Sequence, residues 1–332
     1  NTVIASSSGN FGIGVAYISK LLNMKSIVVM SKSMSKERYE LINEYNASVD
    51  LIDSTSTNVE ELLNRANELA KDSNNVVLNQ FVLFSNYRFH RYVTGITCIE
   101  AAKDVGNGKI AAFVSAPGSG GTLAAGDQIK SVYKDSKVVV VEPKECSTLY
   151  DGSDGNHPIE GIGDKICTLI HNINNTDYIT LVDGKACLKG LEVIEDGNYE
   201  MLKGLFGVSS LANIIASIKM AKYLKLGKDD NIVTIATDGV DRYLSVLDLF
   251  KKLEQVDVNK WKSEVFDNIS IEDIKNTQSV GEKERLYSFK EKCWIKFGFS
   301  KEYLNQMKDN SFWDNEYSKV KDYDKKIKEL RK

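Results

Sequence analysis

The sequence has little of what would direct a chain to a nucleic acid, a membrane or an oxidising compartment. Its 43 basic and 46 acidic residues leave a net charge of −3, so no global positive field favours nucleic acid. No apolar run approaches the roughly 18 residues that suggest a membrane span. The five cysteines are an odd number, widely spaced and without a CxxC pair. They predict reduced thiols in a cytoplasmic protein rather than a disulfide framework.

Signatures of metal binding and of hydrolytic triads are also missing. His90, His157 and His171 have no Cys or His neighbour at zinc-ligand spacing, which argues against a metal site. No Ser/His/Asp order with a nucleophile elbow is present. The sequence begins at Asn1, without an initiator Met or a signal-peptide pattern, and residues 3–5 already have the character of a strand. We expect it to be a fragment of a longer chain.

Strand-like runs alternate with helical patterns over about 240 residues, and continuous β-branched runs are typical of parallel strands buried on both faces. These runs occupy residues 26–30, 49–52, 76–78, 110–114, 138–141 and 232–235. An apolar stripe from Val59 to Ala70 predicts a helix, with Thr57 and Glu60 as a capping box. The pattern predicts an α/β fold of two doubly wound domains.

The sequence changes character at about Lys251, where Lys, Glu, Asp and three tryptophans accumulate. A helix over residues 284–297 is predicted, and two interpretations of the tail stay open: a helical cap or oligomer contact, and a solvated amphipathic appendage. The predicted domains are a small N-terminally truncated α/β domain, a large cofactor-binding α/β domain and a helical extension, at residues 1–84, 85–250 and 251–332.

A glycine-rich loop follows the strand-like run that ends at Val114 and precedes a predicted helix at residues 123–133. Such a loop exposes backbone N–H groups to an anion, and the helix N-terminus adds partial positive charge. It is not a P-loop, because no GK[ST] follows, and a simple tight turn is the alternative. The loop consists of Gly118, Ser119, Gly120, Gly121 and Thr122.

A second loop, Ser7-Ser8-Gly9-Asn10-Phe11-Gly12, offers a side-chain amide and several N–H donors at another strand end. Its glycine spacing differs from the dinucleotide fingerprint, and no acidic residue stands at the interval expected for a ribose contact. NAD is therefore not predicted. Two such loops on one α/β framework predict a phosphorylated cofactor held between them.

Taken together, these segments resemble the fold type II enzymes that use pyridoxal phosphate (PLP): cysteine synthase, serine/threonine dehydratase and the tryptophan synthase beta chain. The resemblance covers roughly residues 1–250, and the tail segment 286–313 is similar to the extension of a cysteine-synthase-like subgroup. Besides the two loops, the motifs that occur in family order are Met34–Arg38, Asn46–Val49, Asn79–Phe81, His90–Gly95, Val141–Pro143, Glu160–Gly163, Gly207–Ser210 and Asp241–Ser245.

The resemblance implies PLP as cofactor and gives each loop a role. Asn10 matches the asparagine that hydrogen-bonds the 3′ oxygen of the cofactor, and Gly118–Thr122 match the phosphate cradle. Closure of the small domain over the substrate would exclude water, although Ser7 and Ser8 as a helix cap without ligand is the alternative. The residues that match the family's grip on the substrate α-carboxylate are Ser7, Ser8, Gly9 and Gln80.

The sequence departs from the family pattern at four points. The family's Schiff-base lysine lies further upstream of the asparagine loop than the nine residues before Asn10. No lysine of this chain is therefore assigned to it, and we expect truncation rather than a pseudoenzyme. At the pyridine nitrogen the choice between Thr237 and Asp238 stays open, as does a turn-capping role for Asp238. Phe11 replaces a hydroxyl of cysteine synthases, which weakens O-acetylserine as the substrate, and Leu211 replaces a glycine.

The resemblance implies a lyase or transferase that eliminates or replaces the β-substituent of a serine- or cysteine-like amino acid. It also implies a cytoplasmic homodimer or a partner subunit, with a small amino-acid substrate and no nucleic acid or membrane. Two alternatives stay open. One is a thiolase beta subunit of the 2-amino-4-ketopentanoate type or a diamino-acid ammonia-lyase, which Asp238 at the ring nitrogen would favour. The other is a non-catalytic subunit that keeps the fold.

Overall fold

The computed structural model describes residues 1–7, 9–53 and 58–331, apart from the side chain of Asn198. Ser8 and Thr57 lie outside the described residues, and so does the capping box predicted for Thr57 with Glu60. The described chain contains two parallel sheets, each with helices packed on it, as the alternating pattern predicted. The three-tryptophan tail packs mainly against the second sheet and its helices.

The first sheet has the strand order β3-β2-β1-β4, and each neighbouring pair is parallel. Ile4, Val28 and Val29 are fully buried because helices cover the sheet on both faces. The predicted apolar stripe is buried on the third helix. The elements of this small unit are β1 (Thr2–Ser6), α1 (Asn10–Leu21), β2 (Lys25–Ser31), α2 (Lys36–Glu44), β3 (Ser48–Ile52), α3 (Val59–Leu69) and β4 (Asn75–Leu78).

The second sheet has the order β8-β5-β6-β7-β9, in which β9 runs antiparallel to β7 at the edge. A π-helical turn, His90–Thr94, joins the first two helices of this large unit. Its elements up to the tail are α4 (Phe84–Phe89), α5 (Gly95–Ala102), β5 (Ile110–Ser115), α6 (Leu123–Val132), β6 (Lys137–Pro143), β7 (Thr176–Val182), α7 (Gly184–Val193), α8 (Val208–Tyr223), β8 (Asn231–Thr234) and α9 (Leu244–Leu253).

The tail is a cap over most of its length and a solvated appendage at its end. Trp261, Trp294 and Trp313 are each at most 4% exposed, and the last two share a core with Leu123 of α6. The final helix has no buried residue. The tail elements are α10 (Val258–Lys262), β9 (Ile274–Asn276), α11 (Val280–Ile295), α12 (Lys301–Gln306), α13 (Asn310–Ser318) and α14 (Val320–Leu330).

The two loops that the sequence singled out face each other across the junction of the two units. The asparagine loop connects β1 to α1, and the glycine loop connects β5 to α6. Both therefore lie at carboxyl ends of parallel strands, where ligands bind in open α/β sheets. Among the described residues, no helix is both long enough and apolar enough to cross a bilayer.

Candidate active site

A cleft of about 270 Å³ opens between the two units, with the asparagine loop and the glycine loop on opposite walls. Most of the predicted site residues line it. Gly121 and Asp238 are not part of its lining, and Ser8 lies outside the described residues. The predicted residues that line the cleft are Ser7, Gly9, Asn10, Gln80, Gly118, Ser119, Gly120, Thr122 and Thr237.

The glycine loop needs its glycines because the chain behind it is close. Gly120 has a φ of +85°, and a Cβ there would lie 2.2 Å from Oγ1 of Thr168. At Gly118 a Cβ would lie 2.2 Å from the carbonyl oxygen of Gly161, and at Gly121 the same distance from Oδ1 of Asn86. The loop can therefore run close behind a ligand only with hydrogen at these positions.

The polar groups of the glycine loop suit an anion. The backbone N–H groups of Ser119 and Gly120 donate to no other residue in the described ranges. The hydroxyl of Ser119 accepts from Nδ2 of Asn86 at 2.8 Å, and the hydroxyl of Thr122 pairs with that of Ser115 at 2.8 Å. Helix α6 begins directly after the loop, so its partial positive charge points at the same place.

On the opposite wall, Ser7 holds the turn into α1. Its hydroxyl oxygen accepts the N–H of Gly9 at 3.1 Å and that of Gly12 at 3.0 Å. Ser7 thus acts as a cap at the helix start, the alternative that the sequence left open, while it also borders the cleft. Gly9 is required here because a Cβ would lie 2.7 Å from Nη1 of Arg38.

Arg38 is the centre of a buried ionic network that joins the two units. Its side chain is 1% exposed, and Nε donates to Glu160 at 2.7 Å while Nη2 reaches Asp238 at 3.4 Å. Nη2 also donates to the hydroxyl of Tyr243 at 2.6 Å, and Nη1 donates to Oδ1 of Asn10 at 3.1 Å. Burial alone would lower the pKa of Arg38, but Tyr243, Glu160 and Asp238 raise it above its ordinary value.

Thr237 and Asp238, which the sequence could not separate, point to different surroundings. The hydroxyl of Thr237 lies 2.7 Å from that of Ser209 and 3.1 Å from that of Ser210, and Thr237 lines the cleft. The carboxylate of Asp238 accepts from Nδ2 of Asn10 at 2.9 Å and from Tyr243 at 2.8 Å. Asp238 is therefore part of the Arg38 network.

Two titratable residues of the cleft were not assigned a role from the sequence. Burial raises the pKa of the Asp164 carboxyl to about 7, and burial lowers the pKa of His90. Nδ1 of His90 lies 2.9 Å from the hydroxyl of Thr94 within the π-helical turn, a feature frequent at functional sites. The only signal for Asp164 was its place directly after the Glu160–Gly163 motif.

The described residues contain no group of three or more His, Cys, Asp or Glu side chains arranged to hold a metal ion. All five cysteines lie within the described ranges, and each is buried as a free thiol. Burial raises the pKa of Cys146 and Cys187, so neither is activated as a thiolate. The polar groups that line the cleft are hydroxyl, amide, carboxyl and backbone N–H groups and the imidazole of His90.

Comparison with known proteins agrees with this geometry. The sequence profile of the family described as pyridoxal-phosphate dependent enzyme matches residues 1–238. Cysteine synthase B of Campylobacter jejuni is 31% identical over 251 residues, which cover 75% of this chain and 79% of that protein. A probable cysteine synthase of Bacillus subtilis is 30% identical over 256 residues, covering 74% of this chain and 77% of that protein. The chain belongs to the PLP-dependent enzyme family.

Solved structures give the same result. Isoform 3 of O-acetyl serine sulfhydrylase from Entamoeba histolytica superposes with a TM-score of 0.68 at 29% identity, covering 81% of this chain and 77% of that one. A hydrogen sulfide-producing enzyme from Fusobacterium nucleatum superposes with a TM-score of 0.68 at 27% identity, covering 83% and 80%. The resemblance noted from the motifs is confirmed, and so is the fold class.

The protein is thus an enzyme, its cofactor is PLP, and its reaction is elimination or replacement at the β-carbon of a serine-like amino acid. The cleft fits this cofactor. The N–H groups of Ser119 and Gly120, which have no acceptor among the described residues, and the start of α6 can bind a phosphate, and the loop residues 118–120 and 122 line the cleft.

Proposed function

We propose that this enzyme acts on an amino acid of the size of L-cysteine or L-serine and removes its β-substituent or exchanges it for a sulfur nucleophile. The observation that carries the proposal is the presence of two donor sets on opposite walls of one cleft. The glycine loop suits the cofactor phosphate, and Gly9, Gln80 and the asparagine loop suit the carboxylate of a small substrate. Relatives named cysteine synthase and hydrogen sulfide-producing enzyme support a sulfur-containing substrate or product.

When bound, PLP withdraws electrons from the α-carbon of the amino acid joined to it, which weakens the bonds to the α-proton and the β-substituent. Gly118–Thr122 would hold the phosphate. The carboxamide of Asn10 has two N–H groups, of which one donates to Asp238, so the other remains for the 3′ oxygen. The hydroxyl of Thr237 would face the ring nitrogen, since Asp238 is engaged by Arg38 and lies outside the cleft lining.

A hydroxyl at the ring nitrogen favours the proposed reaction over the thiolase and ammonia-lyase alternatives. Thr237 leaves the nitrogen neutral, whereas a carboxylate would keep it protonated and stabilise a longer-lived carbanion.

Phe11 and Phe81 add apolar surface to the substrate side of the cleft. These side chains suit a short substrate whose β-substituent carries no carbonyl to be hydrogen-bonded.

The experiment supplies the complete natural chain with PLP and offers L-cysteine, L-serine with sulfide, and O-acetylserine with sulfide in separate assays. We expect turnover with L-cysteine or L-serine, measured as sulfide or cysteine by mass spectrometry. Borohydride reduction followed by peptide mapping identifies the lysine that carries the cofactor. A different outcome would contradict the proposal: the enzyme binds PLP and consumes none of these three substrates, but consumes 2-amino-4-ketopentanoate or a diamino acid. The alternative reactions would then be the correct assignment.

The same proposal includes a homodimer in the cytoplasm. Phe89, Tyr92 and Val93 are between 41% and 57% exposed on adjacent turns of the α4–π segment, an apolar surface of the kind that subunits cover. Sedimentation of the PLP-loaded protein should give twice the chain mass. A monomer at all concentrations would remove the dimer from the proposal without affecting the assignment of the reaction.

A further inference from the structure

The cleft has a third wall, formed by residues 160–164. These residues have not been assigned a role in the reaction. The glycine loop suits one anion, the cofactor phosphate, and the asparagine loop with Gln80 suits another, the α-carboxylate. What remains of a bound amino acid is its side chain, and the third wall is a part of the lining that neither anion occupies. Asp164 stands there, and it lines the cleft next to Gly161 and Ile162.

Asp164 has no partner that would hold it in one charge state. Among the described residues it makes no hydrogen bond or ion pair, whereas Glu160 on the same segment is bound by Arg38 and Ser35. Its Oδ2 lies 3.7 Å from where a Cβ of Gly118 would stand. Asp164 lines both the cleft and a smaller adjoining cavity, and its carboxyl group is therefore available to a ligand in the cleft.

Among the residues that the structure describes, no charged group shifts the pKa of Asp164, and burial is the only cause of its shift. Within the cleft the other titratable groups are Glu160 and His90, and burial lowers the pKa of His90, so its ring is neutral. Behind Asp164 lies a small enclosed cavity with Glu142 and His171 on its wall. Burial lowers the pKa of His171 and raises that of Glu142 to about 8, so neither adds positive charge.

We propose that Asp164 is a catalytic acid and base for the β-substituent, which adapts the enzyme to substrates with a poor leaving group, such as the thiol of cysteine or the hydroxyl of serine. This inference rests on the proposed function. It adds the class of leaving group, which neither the family profile nor the glycine loop specifies.

The proton at the β-substituent balances in both reactions, with the α-proton leaving separately and water returning a proton to Asp164 after elimination. In elimination the bond from Cβ to sulfur or oxygen breaks, its electron pair leaves with the heteroatom, and Asp164 gives that atom its proton. In replacement the incoming thiol forms a bond from sulfur to Cβ and returns its proton to the Asp164 carboxylate. A carboxyl whose pKa is about 7 can do both near neutral pH, because both protonation states are populated.

Binding of the cofactor and the substrate favours the protonated form of Asp164. The cofactor phosphate and the substrate α-carboxylate add negative charge to the cleft, which disfavours a third anion and raises the pKa of Asp164 further. The group therefore enters the reaction in its acid form.

The test compares two kinds of substrate in the complete natural chain loaded with PLP. Asp164→Asn keeps the size of the side chain but cannot transfer a proton. It should lower kcat for L-cysteine or L-serine elimination by about 100-fold, and kcat for β-chloroalanine, whose chloride leaves without a proton, by less than about threefold. Asp154→Asn, an exposed residue of the same loop region, should leave both rates unchanged. Equal losses with both substrates, or no loss, would overturn the inference.

A second readout does not depend on turnover. The infrared difference spectrum of the chain without PLP, taken between about pH 5 and about pH 9, should contain a carboxyl band that disappears in Asp164→Asn. Its midpoint should lie near 7. A wild-type spectrum without this band overturns the inference whatever the activity. Failure of the wild type on every substrate, with the band present, contradicts the proposed function and leaves the protonation of Asp164 supported.

Discussion

Asp164, which lines the cleft, and Asp238, which lies outside its lining, have the same side chain in different surroundings. Asp238 accepts hydrogen bonds from Asn10 and Tyr243 and pairs with Arg38, so its charge is matched and its position fixed. Asp164 has no such partner among the described residues, and burial raises its pKa to about 7. The comparison teaches that residue type alone does not decide the role of a carboxyl: a matched cation fixes Asp238 in the network, whereas the unpartnered Asp164 is the one for which we propose a chemical role.

The largest loss of stability should follow from removing Arg38, the cation that pairs with Asp238 and Glu160. Arg38→Met leaves Glu160 and Asp238 buried without a cation, and it should lower the free energy of unfolding by about 3–5 kcal/mol. Urea denaturation measures the change. The matched control is Arg65→Met, since Arg65 pairs with Asp50 on the surface, and no measurable change is expected there. Equal stabilities of the wild type and Arg38→Met would contradict the account of the network.

The same substitution at the two aspartates should change the free energy of unfolding in opposite directions. Asp238→Asn removes the charge that Arg38 and Tyr243 bind, and it should lower the free energy of unfolding by about 2 kcal/mol at neutral pH. Thermal unfolding in the absence of cofactor checks it. A stabilised Asp238→Asn would mean that the network does not favour the ionised carboxylate.

Asp164→Asn should instead stabilise the cofactor-free protein, by an amount that grows between about pH 4 and about pH 7. Because the folded-state pKa of Asp164 is raised from 3.8 to about 7, its contribution to stability is present in full below about pH 4 and is lost as the pH rises through about 7. At about pH 8 the variant should be more stable by about 1–2 kcal/mol, and at about pH 4 the two should be equal. A difference of constant size across this range would show that Asp164 is ionised throughout.

The smallest change concerns the glycine loop. Gly120→Ala places a methyl group at a φ of +85° and 2.2 Å from Oγ1 of Thr168, so the loop must shift. Affinity for PLP should fall by about tenfold, measured by equilibrium dialysis. Gly14→Ala, with open space around a helical position, should leave the affinity unchanged. Equal affinity in the two variants would remove Gly120 from the phosphate cradle.

The sequence predicted the fold well where the pattern is local. Buried β-branched runs at residues 26–30 and 138–141 correspond to β2 and β6, which are two and three residues longer. Strand β7, Thr176–Val182, was missed because threonine, aspartate and tyrosine interrupt its apolar residues, although all seven are buried. Strand β9 was also missed, since only its pairing with β7 makes it a strand.

The site could be predicted in part for the same reason. Glycines that must run close to other backbone are visible in sequence, and so the glycine loop was found. Arg38 and Glu160 lay in quoted motifs, but their pairing joins residues 122 positions apart. The availability of Asp164 depends on which residues fail to reach it, and the assignment of Asp238 to the network depends on its contacts with Arg38 and Asn10, which are distant in sequence. Neither feature can be predicted from the local sequence pattern.

The most direct test of the account is whether the cleft binds its cofactor through the phosphate. Calorimetric titration of the wild-type protein with pyridoxal 5′-phosphate and with pyridoxal, which lacks the phosphate, measures this difference. We expect saturable binding of one PLP per chain and an affinity for pyridoxal at least about 100-fold lower, because the N–H groups of the glycine loop then bind no anion. Equal affinities for the two compounds would contradict the assignment of Gly118–Thr122 as the phosphate cradle.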